Sequence, residues 1–219
     1  MQTLTKVTMS ISKGNTKTGA IPAFNLPPVQ SCLNSATCAK FVGTDGKNYR
    51  CYALSPYERY KQTRAAWDRN FELAQNDLPE LKKQLLKYFR KFNGRLFRIH
   101  VSGDFHSREY LNMWLDVIKQ NPDVKFLAYT KVYGFFKGLD VPKNFSVLLS
   151  FMPSIPVKQA EKFAGMIGLP MAHATGERPD GFITCPEQTS GKKTNCAECK
   201  LCWNLNELKR PMNIHFLPH

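Results

Sequence analysis

The stretch Leu96-Phe97-Arg98-Ile99-His100-Val101-Ser102-Gly103-Asp104 decides how this chain is read. Its side chains alternate, so Phe97, Ile99 and Val101 share one face of a strand while Arg98, His100 and Ser102 share the other. Parallel strands buried on both faces usually read as unbroken apolar runs. A strand that is half polar therefore implies a lined cavity, as in an open or partial barrel; a solvated face or internally satisfied hydrogen bonds are the alternatives. The strand runs into Ser102-Gly103-Asp104, and α/β sheets place their ligand loops at such C-terminal strand ends. Ser102, Gly103 and Asp104 are thus candidate cofactor-binding residues, and His100, Asp104 and His173 candidate catalytic ones. A Gly-Asp pair can equally turn the chain into the next helix.

Downstream, the pattern predicts a helix from Ser107 to Lys119, strands at Lys125 to Thr130 and Ser146 to Phe151, a helix at Val157 to Met166 and a strand at Met171 to Thr175. This βαβ alternation implies a parallel sheet. Upstream, Ser55-Pro56-Tyr57-Glu58 forms a capping box with proline at the first helical position, predicting a helix to about Gln75. Asp77 to Glu80 repeats the start signal, and the stripe Leu78, Leu81, Leu85, Leu86, Phe89, Phe92 predicts a second helix stopped at Asn93-Gly94. The expected class is α/β: a partial (β/α) barrel, or an open parallel sheet with helices. At 219 residues one domain is the default. It would comprise a core over 55–175, an irregular cysteine-containing arm over 1–54 and an irregular cysteine-rich, cluster-binding tail over 176–219, with a short helix near Asn204 to Lys209.

Thirty-one Lys and Arg face 17 Asp and Glu, a formal charge of +14, and residues 1–70 hold 10 basic against 3 acidic residues. Such an excess favours a polyanionic partner, either nucleic acid or an acidic host protein. Lys13, Lys17, Lys40, Lys47 and Arg50 are the candidate phosphate contacts, whereas Lys82, Lys83, Lys87, Arg90 and Lys91 read as the solvated face of an amphipathic helix. No run approaches the ~18 to 20 apolar residues that cross a bilayer, and no leader pattern opens the chain, so no membrane partner and a cytoplasmic location are expected. Gly14 to Gly19 fails as a phosphate loop because Ala20 stands where lysine is required. Metalloprotease, α/β-hydrolase and dinucleotide-binding signatures do not occur.

Seven cysteines in two groups, without a secretion signal, favour metal ligation over disulfides. Cys185-Pro186 followed by Cys196-x2-Cys199-x2-Cys202 resembles a ferredoxin ligand set, in which a compact loop supplies three thiolates to a [4Fe-4S] cluster and a remote cysteine closes it. Zinc is the alternative, although it usually takes two separated pairs. Cys32-x5-Cys38-x12-Cys51 supplies only three ligands, which leaves one position open to a histidine, water or a small molecule. One or two clusters are therefore expected.

The motifs Gly14-Asn15-x-Lys17-Thr18-Gly19-x-Ile21-Pro22-x-Phe24-x-Leu26-Pro27, Cys51-Tyr52-Ala53, Ser102-Gly103-Asp104-Phe105, Ala128-Tyr129-Thr130-Lys131 and Cys199-x2-Cys202-Trp203 resemble, in order, those of the bacteriophage gene product eighty-eight family. The resemblance implies a phage protein made in the cytoplasm of a bacterial host. More distantly, the chain is similar to radical S-adenosylmethionine enzymes. That likeness implies a partial barrel, an open cluster on Cys32, Cys38 and Cys51, an acidic glycine motif at Ser102-Gly103-Asp104, an auxiliary cluster on the four tail cysteines, and S-adenosylmethionine as cofactor. It departs from that family in its x5 and x12 cysteine spacings and in carrying Asp where the motif has Glu. Two functions follow as expectations. One is an iron-sulfur protein with radical-type one-electron chemistry on a nucleic acid or host factor. The other is a non-catalytic binding module stapled by zinc or clusters.

Overall fold

The computed structural model describes residues 7–35, 39–42, 48–151, 156–174, 176–191, 193–208 and 212–217. Eight strands form one sheet: β1 (Ile11–Ser12), β2 (Ala23–Phe24), β5 (Leu96–Ile99), β6 (Lys125–Thr130), β7 (Phe145–Ser150), β8 (Met171–His173), β9 (Phe182–Thr184) and β10 (Asn213–His215). The remaining two, β3 (Lys40–Val42) and β4 (Asn48–Arg50), make a separate antiparallel pair. The order is β1-β2-β5-β6-β7-β8-β10-β9, parallel throughout except for β1. β1 and β9 lie at opposite edges, so the sheet is open and the barrel alternative is corrected. The arms expected to be irregular supply β1, β2, β9 and β10. Strands of two or three residues are too short to show a period.

One face is covered by helices whose starts follow their caps. Asp77 Oδ1 accepts from Glu80 N (3.0 Å) to open the helix Leu78–Phe89, and Ser107 Oγ accepts from Tyr110 N (3.1 Å) to open Arg108–Lys119. Leu81, Leu85, Phe89, Tyr110 and Trp114 then pack on Phe97, Ile99, Phe126, Ala128, Phe145 and Val147. The helix expected from Ser55 to Gln75 is instead two, Leu54–Arg59 and Lys61–Asn76, and Ala53 rather than Ser55 caps the first. Tyr60 breaks them with extended backbone (φ −110, ψ 105). The Arg64 guanidinium stabilises the break by donating to Tyr57 O (3.2 Å) and Glu58 O (2.9 Å).

The second face carries Leu127, Leu148, Ala172 and Ile214, which are covered by Ile21, Trp203 and Leu205 rather than by helices. Trp203 Nε1 donates to Phe97 O (3.2 Å), and Ser146 Oγ donates to Trp203 O (3.1 Å). Lys125 Nζ reaches Asn204 Oδ1 and Glu207 Oε1, each at 2.6 Å. In place of the expected helix near Asn204 to Lys209 the tail forms two 3-10 turns, Leu201–Trp203 and Leu205–Glu207; Lys209 lies outside the described residues. Trp203→Ala should cost about 3–5 kcal/mol in urea unfolding. A loss below about 1 kcal/mol would mean that the indole does not hold the tail.

Candidate ligand cavity and thiol site

β5 ends where His100 turns to φ +64, and the segment after it is bolted down atom by atom. Val101 N donates to Asn25 Oδ1 (2.8 Å), the Tyr52 hydroxyl donates to Val101 O, and Leu26 N donates to Ser102 O (3.0 Å). Gly103 has φ +90, and a Cβ there would lie 2.6 Å from both Leu26 Cβ and Ser31 Oγ. Asp104 Oδ1 accepts from Thr130 Oγ1 (2.7 Å) and Phe105 N (2.8 Å), while Oδ2 accepts from Lys131 N (2.8 Å). Burial pushes its pKa up and these bonds pull it back. Both carboxylate oxygens are thus engaged in tying the β5 loop to the end of β6.

The polar side chains from Arg98 to Ser102 are different. Arg98 Nε, His100 Nδ1 and Ser102 Oγ are buried without a hydrogen-bond partner among the described residues. All three residues line a cavity of about 960 Å³. His100 Nε2 lies 2.8 Å from the Tyr110 hydroxyl, with the ring against Phe105 and Tyr110. Burial first, then His106 and Arg98, lowers its pKa to about 3, so the imidazole is neutral at physiological pH. His173 does not share this setting. Its strand neighbour Ala172 and the β10 residue Ile214 line the cavity, so the period of two turns His173 and His215 to the opposite face. There their Nδ1 atoms lie 3.1 Å apart. Thr175 lies outside the described residues.

The six described cysteines are thiols rather than disulfides, and Cys32, Cys51, Cys185, Cys196, Cys199 and Cys202 all line the same cavity. Cys38 lies outside the described residues. Asn195 Oδ1 caps the turn Cys196–Cys199 by accepting from Glu198 N (3.1 Å), and Cys196 N donates to Lys17 O (3.1 Å). A Cβ on Gly19 would come within 2.8 Å of Ala197 Cβ, so the Gly14 to Gly19 loop is a support for the cysteine turn. Burial raises the pKa of Cys185, of Cys196 to about 11 and of Cys202 to about 12; Arg98 opposes the last two shifts. The Arg98 guanidinium lies 4.8 Å from the centre of the Tyr129 ring, and Tyr129 is hydrogen-bonded to Cys202.

Among the described residues no three His, Cys, Asp or Glu side chains form a group that could hold a metal ion. A tetrahedral zinc ion needs thiolate sulfurs about 3.8 Å apart, from its ~2.3 Å bonds. A cluster spreads its corners and takes thiols set further apart. Of the sequence's phosphate contacts, Lys17 and Arg50 line the cavity, paired with Glu187 (3.6 Å) and Glu58 (2.9 Å). Lys13 and Lys40 are exposed elsewhere, and Lys47 lies outside the described residues. Asn25 and Tyr52 hold the ledge at Val101 from far along the chain, and no local signal marks them for that task.

These features define an open α/β protein with a thiol-lined cavity against the polar face of its sheet. The family model described as "Gene product 88" matches residues 3–205, and the chain belongs to that family. It is 31% identical to the "Gene 88 protein" of Mycobacterium phage L5 over 215 residues, covering 87% of this chain and 86% of that one. It is 28% identical to the "Gene 88 protein" of Mycobacterium phage D29 over 216 residues, with the same coverage. No solved structure matches. No helix among the described residues is long and apolar enough to cross a membrane.

Gly103→Ala should lower stability by at least about 1–3 kcal/mol, read as a drop in the urea midpoint, because strain adds to the clash with Leu26. An unchanged midpoint would refute the tight turn. The unfolded chain protonates His100 below about 6.5, whereas the folded chain resists down to about 3. Stability due to His100 is therefore complete above pH 6.5 and falls by up to about 1.4 kcal/mol per pH unit on acidification towards 3. His100→Asn tolerates the left-handed backbone and should show a shallower acid limb in unfolding curves taken at each pH.

Proposed function

We propose that this protein is an iron-sulfur protein in which Cys185, Cys196, Cys199 and Cys202 hold a [4Fe-4S] cluster and the cavity beside it receives a polar small molecule. The observation that carries the reading is the lining of one cavity, which includes thiols from both cysteine groups and three residues with a buried polar atom that has no hydrogen-bond partner among the described residues. An unpartnered buried polar group costs about 1–3 kcal/mol, which a polar ligand recovers on binding. Four thiols are the kind and number of donors a cluster takes, and the half-buried Arg98 guanidinium favours thiolate charge at Cys196 and Cys202.

A bound cluster supplies one-electron reduction. The protein's own residues do the rest. Tyr129 orients Cys202, Trp203 and Leu205 keep water from the sheet face behind the thiols, and His100 and Ser102 hold the ligand against the ledge fixed by Asn25 and Asp104. Cys32 and Cys51, with Cys38 outside the described residues, would hold the second, open site, with S-adenosylmethionine as the ligand that the distant likeness to radical enzymes suggests.

Anaerobically purified protein should contain about four irons and equal acid-labile sulfide per chain if the tail alone is loaded, and about eight if both groups are. Cys196→Ser should remove about four irons and the matching visible absorption. Zinc without sulfide would overturn the cluster reading in favour of a stapled binding module. S-adenosylmethionine should alter the paramagnetic spectrum of the reduced protein. An unaltered spectrum would remove that ligand from the proposal.

A further inference from the structure

Two aromatic rings stand unusually far into solvent at the cavity rim: Tyr52 is 58% and Tyr60 54% exposed, and both line the mouth. Neither is loose. The Tyr52 hydroxyl donates to Val101 O, and Tyr60 sits in the fixed break between two helices, its N–H donating to Pro56 O (3.1 Å). Trp67 lines the same cavity and stacks on Tyr57 with ring centres 6.0 Å apart and planes 14° off parallel. Arg64 lies over Tyr57, its guanidinium carbon 5.6 Å from the ring centre. Residues 50–69 interleave these rings with Arg50, Arg59, Lys61, Arg64 and Arg69, against only Glu58 and Asp68. Arg59 and Lys61 are exposed and make no ion pair or side-chain hydrogen bond among the described residues.

We infer that this rim binds single-stranded nucleic acid, with Tyr52 and Tyr60 as stacking platforms for two bases and the neighbouring cations along the backbone. A ring tethered as Tyr52 is by its hydroxyl loses little freedom on stacking, and Tyr60 is presented in solvent from a fixed backbone. An acidic peptide would satisfy the cations and leave the exposed Tyr60 ring in water, whereas an apolar ligand would leave the cations unanswered. A duplex hides its base faces, so the partner has unpaired bases. A cavity of about 960 Å³ behind the rings also has room for one extruded nucleotide. Arg59, Tyr60 and Lys61 are neither thiol ligands nor sequence neighbours of one, so a test on them is separate from the cluster.

The test uses full-length protein and fluorescence anisotropy with labelled single-stranded RNA and DNA of about 12 nucleotides. At least one should bind, with affinity falling linearly in log-log form as salt rises. Tyr60→Ala should weaken binding about 5- to 100-fold, and Tyr60→Phe should restore it. Arg59→Ala with Lys61→Ala should flatten the salt slope by about 0.7 for each phosphate no longer neutralised. Unfolding midpoints equal to that of the parent protein show that the variants remain folded; if Tyr60→Ala fails this check, the Arg59 and Lys61 pair carries the test. No binding of either strand at about 50 mM salt would overturn the inference. So would unchanged affinity in folded Tyr60→Ala, equal affinity for the matching duplex, or displacement by polyglutamate at equal charge.

Discussion

A parallel sheet must bury both faces, and here only one is covered by helices. The other depends on Trp203, which spans from the carbonyl of Phe97 to the hydroxyl of Ser146 and brings the tail down across β5, β6 and β7. Because Cys202 precedes Trp203 and Cys196 is tied to Lys17, docking the indole also places the tail thiols over the sheet and against the N-terminal loop. Hydrophobic cover and thiol placement are one requirement. Helices on both faces would have left no cavity for the thiols to line.

The loop after β5 shows how binding motifs and structural ties can look alike. Ser102-Gly103-Asp104 reads as a ligand loop, yet Asp104 spends both oxygens on the β6 end and Gly103 is demanded by its backbone. The atoms left over are those of Arg98, His100 and Ser102; Arg98 lies on the face that alternation marks as polar, whereas His100, turned at φ +64, packs on Phe105 and Tyr110 of the helix side. Rigidity comes from one set of residues and unmet hydrogen bonding from another. Sites that hold ligands without rearranging separate these tasks in this way.

Long periodic segments are legible in the sequence itself. The Asp77 start of the helix Leu78–Phe89 and the strand Lys125–Thr130 stand where the pattern puts them, while the helix ends at Phe89, short of the stop expected at Asn93-Gly94. Ser55 looks like a cap because its sequence fits the box, but the Tyr60 break is stabilised by Arg64 reaching back, a tertiary choice that no local rule encodes. β1, β2, β9 and β10 are unreadable for their brevity. The sequence offers His173 as a candidate catalytic residue, and only the pairing with β10 reveals His215 as its neighbour. The shared cavity for the two cysteine groups likewise depends on packing between distant parts of the chain.

The position of β10 has a consequence for how the molecule is made. It lies between β8 and β9, and β9, at the sheet edge, hydrogen-bonds to β10. During synthesis β9 emerges first and must wait, with its edge unsatisfied, while Cys185, Cys196, Cys199 and Cys202 are all translated ahead of the strand that seats it. The nascent chain therefore passes through a stage at which every tail thiol has been made and the sheet behind them is still incomplete. Arrival of β10 completes the sheet and ends that stage.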